Sequence, residues 1–214
     1  MAGTMSTARV LPFPAESRVV PVVVIDDHRA AAPLARALSS GGIATAEITL
    51  RTPHALDAIT AVANVGGFLV GAGTVLTALD VDRAVDAGAA YVVSPGLAGD
   101  VVTRALERRI PVIPGVATAT EVQHAVALGL RQLKLFPAEN VGGADLVNAL
   151  GGPFPEVSFL PSGGVTASNA NEYLQLSNVF AVSGSWMVPR ELLRERDFTA
   201  IERLSAATTQ ALLR

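Results

Sequence analysis

The chain has 214 residues, 50% hydrophobic and 16% charged, which is enough for one sizeable core and short for two. It has no Cys, which excludes a disulfide framework, a thiolate nucleophile and a cysteine-ligated metal, and a net charge of -3 without a basic block argues against a nucleic-acid partner. No run approaches the ~20 apolar residues of a membrane span, and the N-terminus lacks a secretory apolar core, so a cytoplasmic protein with no membrane partner is expected.

In chain order, residues 1–17 come first as an arm or short helix that includes Pro12 and Pro14; a repeating pattern then fills 18–214. Short apolar runs predict eight strands: Val19 to Ile25, Thr45 to Arg51, Phe68 to Thr74, Tyr91 to Pro95, Pro111 to Gly115, Gln132 to Pro137, Val157 to Pro161 and Val179 to Ser183. Between them, stretches such as APLARALSS, LDAITAVAN, VVTRALERR and EVQHAVALG repeat apolar residues at three and four positions, and FTAIERLSAATTQALLR closes the series as an amphipathic helix. Glycines at 41–42, 66–67, 88, 129 and 151–152 fall where helices should stop. RELLRERD, from Arg190 to Asp197, is mixed in sign and is expected on a solvated surface.

Strand alternating with helix is the grammar of a parallel sheet, because each return to the same edge needs a crossover. Eight such units predict an α/β fold, a (β/α)8 TIM barrel in a single domain. The competitor is a doubly wound open sheet, which is usually marked by a glycine fingerprint after its first strand. Here that strand is followed by DDHRAAAP.

In a barrel the outer strand face packs on helices, so polar residues within a strand point into the lumen. In AEITLR this puts Ala46, Ile48 and Leu50 outward and Glu47, Thr49 and Arg51 inward; in QLKLFP it puts Lys134 and Phe136 inward. An acid, an arginine and a lysine would then share one interior, either as a structural ion-pair network or as a site. The cations favour the second. The chain has 15 Arg and one Lys, and arginine is the better fixed partner for a carboxylate. What lysine adds is an amine that can shed its proton, which a desolvated lumen beside Arg51 favours, and attack a ketone to form a Schiff base. Glu47 is placed to move the protons, unless it only pairs with Arg51.

Other strand ends supply smaller groups. Thr74 in VGAGT would hold a carboxylate beside Arg51, or else cap the next turn while Gly71 and Gly73 permit close packing. SPG and IPG are bends, with Pro95 and Phe136 as apolar walls. PSGG (Pro161 to Gly164) and SGSW (Ser183 to Trp186) free backbone N–H groups after the seventh and eighth strands, where many barrels hold phosphate. His28, His54 and His124 lie in or beside helices, and no metal site is expected.

These residues, in the order VVPVVVI, GGIATAEITLRT, VGAGTVL, SPGL, IPGV, KLFPAE, PSGGV and SGSWMVP, resemble the class I 2-keto-3-deoxy-6-phosphogluconate (KDPG) and 4-hydroxy-2-oxoglutarate (KHG) aldolase family from about Val19 to Pro189. The resemblance implies Lys134 as Schiff-base lysine and Glu47 as general acid/base. It also implies Arg51 and Thr74 on the pyruvate carboxylate, with Pro95 and Phe136 beside the methyl group. Ser162, Gly163, Gly164, Gly184 and Ser185 fall where the family binds the far hydroxyls and the phosphate. No cofactor is implied; the partners implied are a phosphorylated keto acid, pyruvate and two further copies in a homotrimer. The chain departs from the family with SGG for TGG and with Ser183 where GGSW has glycine. The hydroxyl retained at Ser162 favours the gluconate over the galactonate substrate. A galactonate aldolase and a non-covalent phosphate-binding isomerase or synthase are the alternatives.

Overall fold

The computed structural model describes residues 12, 13 and 17–212, so most of the 1–17 arm, together with residues 213 and 214, lies outside the described residues. The chain alternates β1 (Val19–Val23), α1 (Ala31–Ser40), β2 (Thr45–Thr49), α2 (Ala55–Ala63), β3 (Leu69–Gly73), α3 (Ala78–Asp86), β4 (Tyr91–Val93) and α4 (Gly99–Glu107). There follow β5 (Val112–Ile113), β6 (Gly115–Val116), α5 (Ala119–Ala127), β7 (Gln132–Leu135), α6 (Gly143–Gly151), β8 (Ser158–Pro161), α7 (Ala170–Leu174), β9 (Val182–Gly184), α8 (Arg190–Glu195) and α9 (Phe198–Leu212).

All strand pairs are parallel, in the order β5-β4-β3-β2-β1-β9 and β6-β7-β8. Two joins close the ring. Pro114 has no N–H to give, so the fifth barrel strand is split there: Val112 and Ile113 pair with β4, while Gly115 and Val116 pair with β7. At the other join, the bridges Phe159 to Val179 and Ser162 to Ser183 link β8 to the last strand. The eight expected runs thus become nine short segments around one (β/α)8 barrel. The last run is regular only from Val182, with Val179 held by its single bridge.

Two apolar layers follow from the alternation. Ala46, Ile48, Leu133 and Leu135 face outward and pack with helix residues such as Leu34, Leu38, Ile59 and Val122, each side chain contributing roughly 1.5–3 kcal/mol on full burial for the larger residues. Val20, Tyr91, Val93, Ile113, Leu160 and Ala181 face inward and fill the lower lumen. Phe13 closes that end: its ring lies edge-on to Tyr91 at 4.9 Å and tilted to Phe180 at 5.6 Å, and its N–H donates to Gln132 Oε1 at 2.6 Å. Ala90, Phe180 and Gln132 all stand at strand starts, so this floor is opposite the C-terminal ends that carry the polar groups.

Helix entries are fixed locally. Thr77 and Thr118 each form a capping box, with Asp80 and Glu121, at the starts of α3 and α5. The RELLRERD segment begins as α8 on the surface, as expected, but it is ordered by charge: Arg190 and Arg194 pair with Asp26 at 2.7 and 3.3 Å, and Arg196 pairs with Asp27 at 2.6 Å. Among the described residues no helix is long and apolar enough to cross a membrane.

Candidate active site

Above the apolar floor the lumen turns polar in one layer. Tyr91, fully buried, donates its hydroxyl to Thr45 Oγ1 at 2.9 Å, since the Thr45 hydroxyl itself donates to the Leu69 carbonyl at 2.8 Å. Burial pushes the Tyr91 hydroxyl above the ordinary phenol range, so it stays protonated. One inward step further along β2 stands Glu47, and from the facing β7 comes Lys134, its Nζ 3.1 Å from Glu47 Oε1. Their side chains are 1% and 7% exposed. Glycine makes the room: a Cβ at Gly71 would enter the Tyr91 ring, and one at Gly73 would stand 3.2 Å from the Glu47 carboxyl carbon. Two buried polar atoms in this lumen, Glu47 Oε2 and Ser183 Oγ, have no hydrogen-bond partner among the described residues. Orphaned buried oxygens are costly in a core and are the expected state of a site that receives a polar ligand.

Arg51 differs from its expected place. Strand geometry ends at Thr49, so the inward alternation does not reach position 51; Arg51 is exposed at the barrel mouth, and its Nε donates to Thr74 Oγ1 at 3.1 Å. It therefore does not share the interior with Glu47, whose partner is Lys134. Thr74 does not cap α3, a task that Thr77 performs. Its backbone is left-handed at φ 57, unusual for a β-branched residue, and this turn aims the hydroxyl at Arg51.

The remaining expected residues sit around the same rim. Half-buried Pro95 follows β4, and half-buried Phe136 follows β7, its ring centroid 5.4 Å from Lys134 Nζ. Ser162 is buried after β8 and is joined to Ser183 by the sheet bridge. Gly163 and Gly164 have φ of 91 and 83, which turns their peptides into an open loop, and Gly184 and Ser185 lie at the end of β9 beside them. A Cβ at Gly184 would meet the Trp186 ring, which is held by its indole N–H to Thr208 Oγ1 at 3.0 Å.

Two supports of this loop were not foreseen. The Glu139 N–H donates to the Gly163 carbonyl at 3.1 Å, and its side chain lies under Gly164, where a Cβ would stand 2.6 Å from Glu139 Cβ. The Glu139 carboxylate in turn takes a very short hydrogen bond from Tyr173, whose hydroxyl is pushed up in pKa by burial first and by Glu139 second. The acid at the end of KLFPAE was the available signal; its tyrosine, 34 positions away, carries none in the sequence.

Away from this loop, one group of possible metal ligands comes together that the sequence leaves far apart. His28 and His54, on different loops, come together with Asp57, so that one donor atom from each lies within 4.8 Å of the others. Only their 26-residue separation hid this. His124 stays apart in α5.

A family model for KDPG and KHG aldolases matches residues 13–204. The 2-dehydro-3-deoxy-phosphogluconate aldolase of Pseudomonas aeruginosa is 42% identical over 200 residues, covering 93% of this chain and 91% of the relative. The KHG/KDPG aldolase of Escherichia coli K12 is 42% identical over 188 residues, covering 87% and 88%. Among solved structures, the KDPG aldolase of Legionella pneumophila, with pyruvate captured as a covalent carbinolamine, superposes with a TM-score of 0.88 at 41% identity, covering 91% of this chain and 95% of that one.

Proposed function

Because this chain belongs to the KDPG and KHG aldolase family, we propose that it cleaves its keto acid through Lys134 as Schiff-base nucleophile and Glu47 as proton carrier. The chain is a class I aldolase, whose reaction is the reversible cleavage of 2-keto-3-deoxy-6-phosphogluconate to pyruvate and glyceraldehyde 3-phosphate. The observation that carries the residue assignment is the buried pair: one lysine amine 3.1 Å from a carboxylate whose other oxygen is free.

The chemistry follows from that pair. A paired ammonium is no nucleophile, so Glu47 Oε1 takes a proton from Nζ as the amine attacks the C2 ketone. Glu47 gives that proton to the carbinolamine hydroxyl, which leaves as water; the carboxylate is restored, and the iminium that remains draws electrons from C3. Glu47, directly or through water, removes the proton of the C4 hydroxyl; the C3–C4 bond breaks and the aldehyde leaves, with its electron pair kept in the neutral enamine. Protonation at C3 and hydrolysis return pyruvate and the free lysine. In this reading Arg51 and Thr74 hold the carboxylate at the mouth, with Phe136 and Pro95 as the apolar wall beside the methyl group; the Arg51 to Thr74 hydrogen bond supports the first pairing. The Ser162 hydroxyl and the Gly163, Gly164, Gly184 and Ser185 backbone take, in the same reading, the far hydroxyls and phosphate. That the E. coli relative is a KHG/KDPG aldolase supports KHG as a second substrate, and the family resemblance leads us to read the chain as a homotrimer.

Borohydride reduction with pyruvate tests the assignment. A reduced pyruvate adduct found by peptide mass mapping on Lys134 is the expected result. An intact protein with no adduct there sinks the assignment and favours a non-covalent mechanism.

A further inference from the structure

The His28, His54 and Asp57 group lies outside the machinery just described and is built from two of the chain's three histidines. His28 opens the 3-10 turn His28–Ala30 after β1; His54 is the residue before α2, and Asp57 stands in that helix's first turn. The imidazole centroids are 6.0 Å apart with planes inclined by 38°. From these observations we propose that the three side chains bind one divalent transition-metal ion of the zinc class, clipping the first βα loop to the second at the barrel rim.

The backbone on both sides is already fastened. Asp27 accepts the Arg29 N–H at 3.0 Å, closing the turn that presents His28, and its carboxylate is held further by Arg29 and Arg196. Across the gap, the Thr52 hydroxyl donates to the Ile25 carbonyl at 2.6 Å, tying the loop that leads to His54 onto the end of β1. Ligands on such fixed segments need only side-chain rotation to converge. Bonds of ~2.0–2.1 Å in tetrahedral geometry bring donor atoms to roughly 3.4 Å from one another, a short closing movement for exposed side chains.

The donor set selects the ion. Two imidazoles and one carboxylate suit zinc, cobalt, nickel or copper, whereas magnesium and calcium prefer an all-oxygen shell. Three protein ligands leave a fourth position to solvent. The proposal does not rest on the aldolase reading, since neither Lys134 nor Glu47 takes part.

The test uses the full chain, purified free of metal, titrated with Zn²⁺ in a non-chelating buffer near neutral pH and followed by calorimetry. One saturable ion per chain is expected. Loss of a direct ligand in His28→Ala, His54→Ala or Asp57→Asn should weaken it by at least the roughly 10–100-fold seen for lost outer partners; His124→Ala should bind as the parent does. Co²⁺ gives a second readout: visible ligand-field bands should appear with the parent chain and vanish with His28→Ala and His54→Ala. All these side chains are exposed, so circular dichroism should find each variant folded. No saturable binding, or binding equally tight in His28→Ala and His54→Ala, overturns the proposal.

Discussion

Two regions of this barrel pair opposite charges, under opposite physics. In the lumen a single lysine faces a single carboxylate, both nearly inaccessible; at the rim, Asp26 and Asp27 face Arg29, Arg190, Arg194 and Arg196 in open solvent. Exposed pairs add little to stability and are screened by salt. A buried pair needs good geometry and further hydrogen bonds merely to offset desolvation, and here one carboxylate oxygen has no partner. The rim therefore uses the cation suited to static bidentate contact, and the lumen uses the cation that can let go of its proton. Stability alone is a poor account of the lumen pair, and the proposed proton transfer and covalent bond give it a use.

The largest effect that breaks the contrast is Lys134→Arg, which puts the rim's cation into the lumen. It keeps charge while removing the nucleophile, and kcat should fall by on the order of 10⁴-fold or more; pyruvate release coupled to lactate dehydrogenase reads it, and appreciable residual turnover would contradict covalent catalysis. Glu47→Gln keeps the shape and removes the base. Its expected loss is about 10²–10⁴-fold in kcat, with slower but still detectable borohydride trapping of pyruvate.

Stability sharpens the same contrast. Lys134→Met alone leaves a buried unpaired carboxylate and should cost about 3–5 kcal/mol in urea unfolding, while Lys134→Met with Glu47→Leu should recover that loss or exceed the parent. A double variant no more stable than the single one would mean that the pair holds the barrel together. Gly164→Ala acts elsewhere on the rim: the left-handed backbone and the Glu139 side chain both oppose a Cβ there. KM should rise for the phosphorylated substrate and change little for 4-hydroxy-2-oxoglutarate; an equal rise for both would remove this loop from phosphate binding.

Asp26→Asn should have the smallest effect. The hydrogen bond from Arg190, then its charge and Arg194, hold the Asp26 carboxyl below the usual carboxylate range. A depressed folded-state value means that its contribution is complete above the unfolded value of ~3.9 and is lost as pH falls through the folded one. Thermal melts of parent and variant should therefore differ slightly at neutral pH and low salt. They should converge in strong acid and again at 1 M salt, where the screening length is ~3 Å.

The contrast also explains what was legible in the sequence. Glu47 and Lys134 stand inside apolar strands whose alternation fixes the inward face, so position alone predicts their meeting. Arg51 lies two residues past the end of β2, where alternation no longer applies, and it came out at the mouth. Pro114 was legible as a bend but not as a break between pairing partners, because that depends on which strands close the ring. Glu139 with Tyr173, and His28 with His54, are long-range meetings of residues on separate loops, and no local period encodes them. The rim network escaped for the same reason: RELLRERD looks like solvated charge until Asp26 and Asp27 are brought beside it.

Phe13 closes the lumen from below, and this has a consequence for access. With the floor sealed by Phe13, Tyr91 and Phe180, the keto acid, the departing aldehyde and the hydrolytic water all share one opening. The covalent bond already makes pyruvate the later product to leave; what the filled lower lumen adds, with Val20, Tyr91, Val93, Ile113, Leu160 and Ala181 in it and Phe13 beneath them, is that the water that frees pyruvate enters by the mouth through which the aldehyde has left.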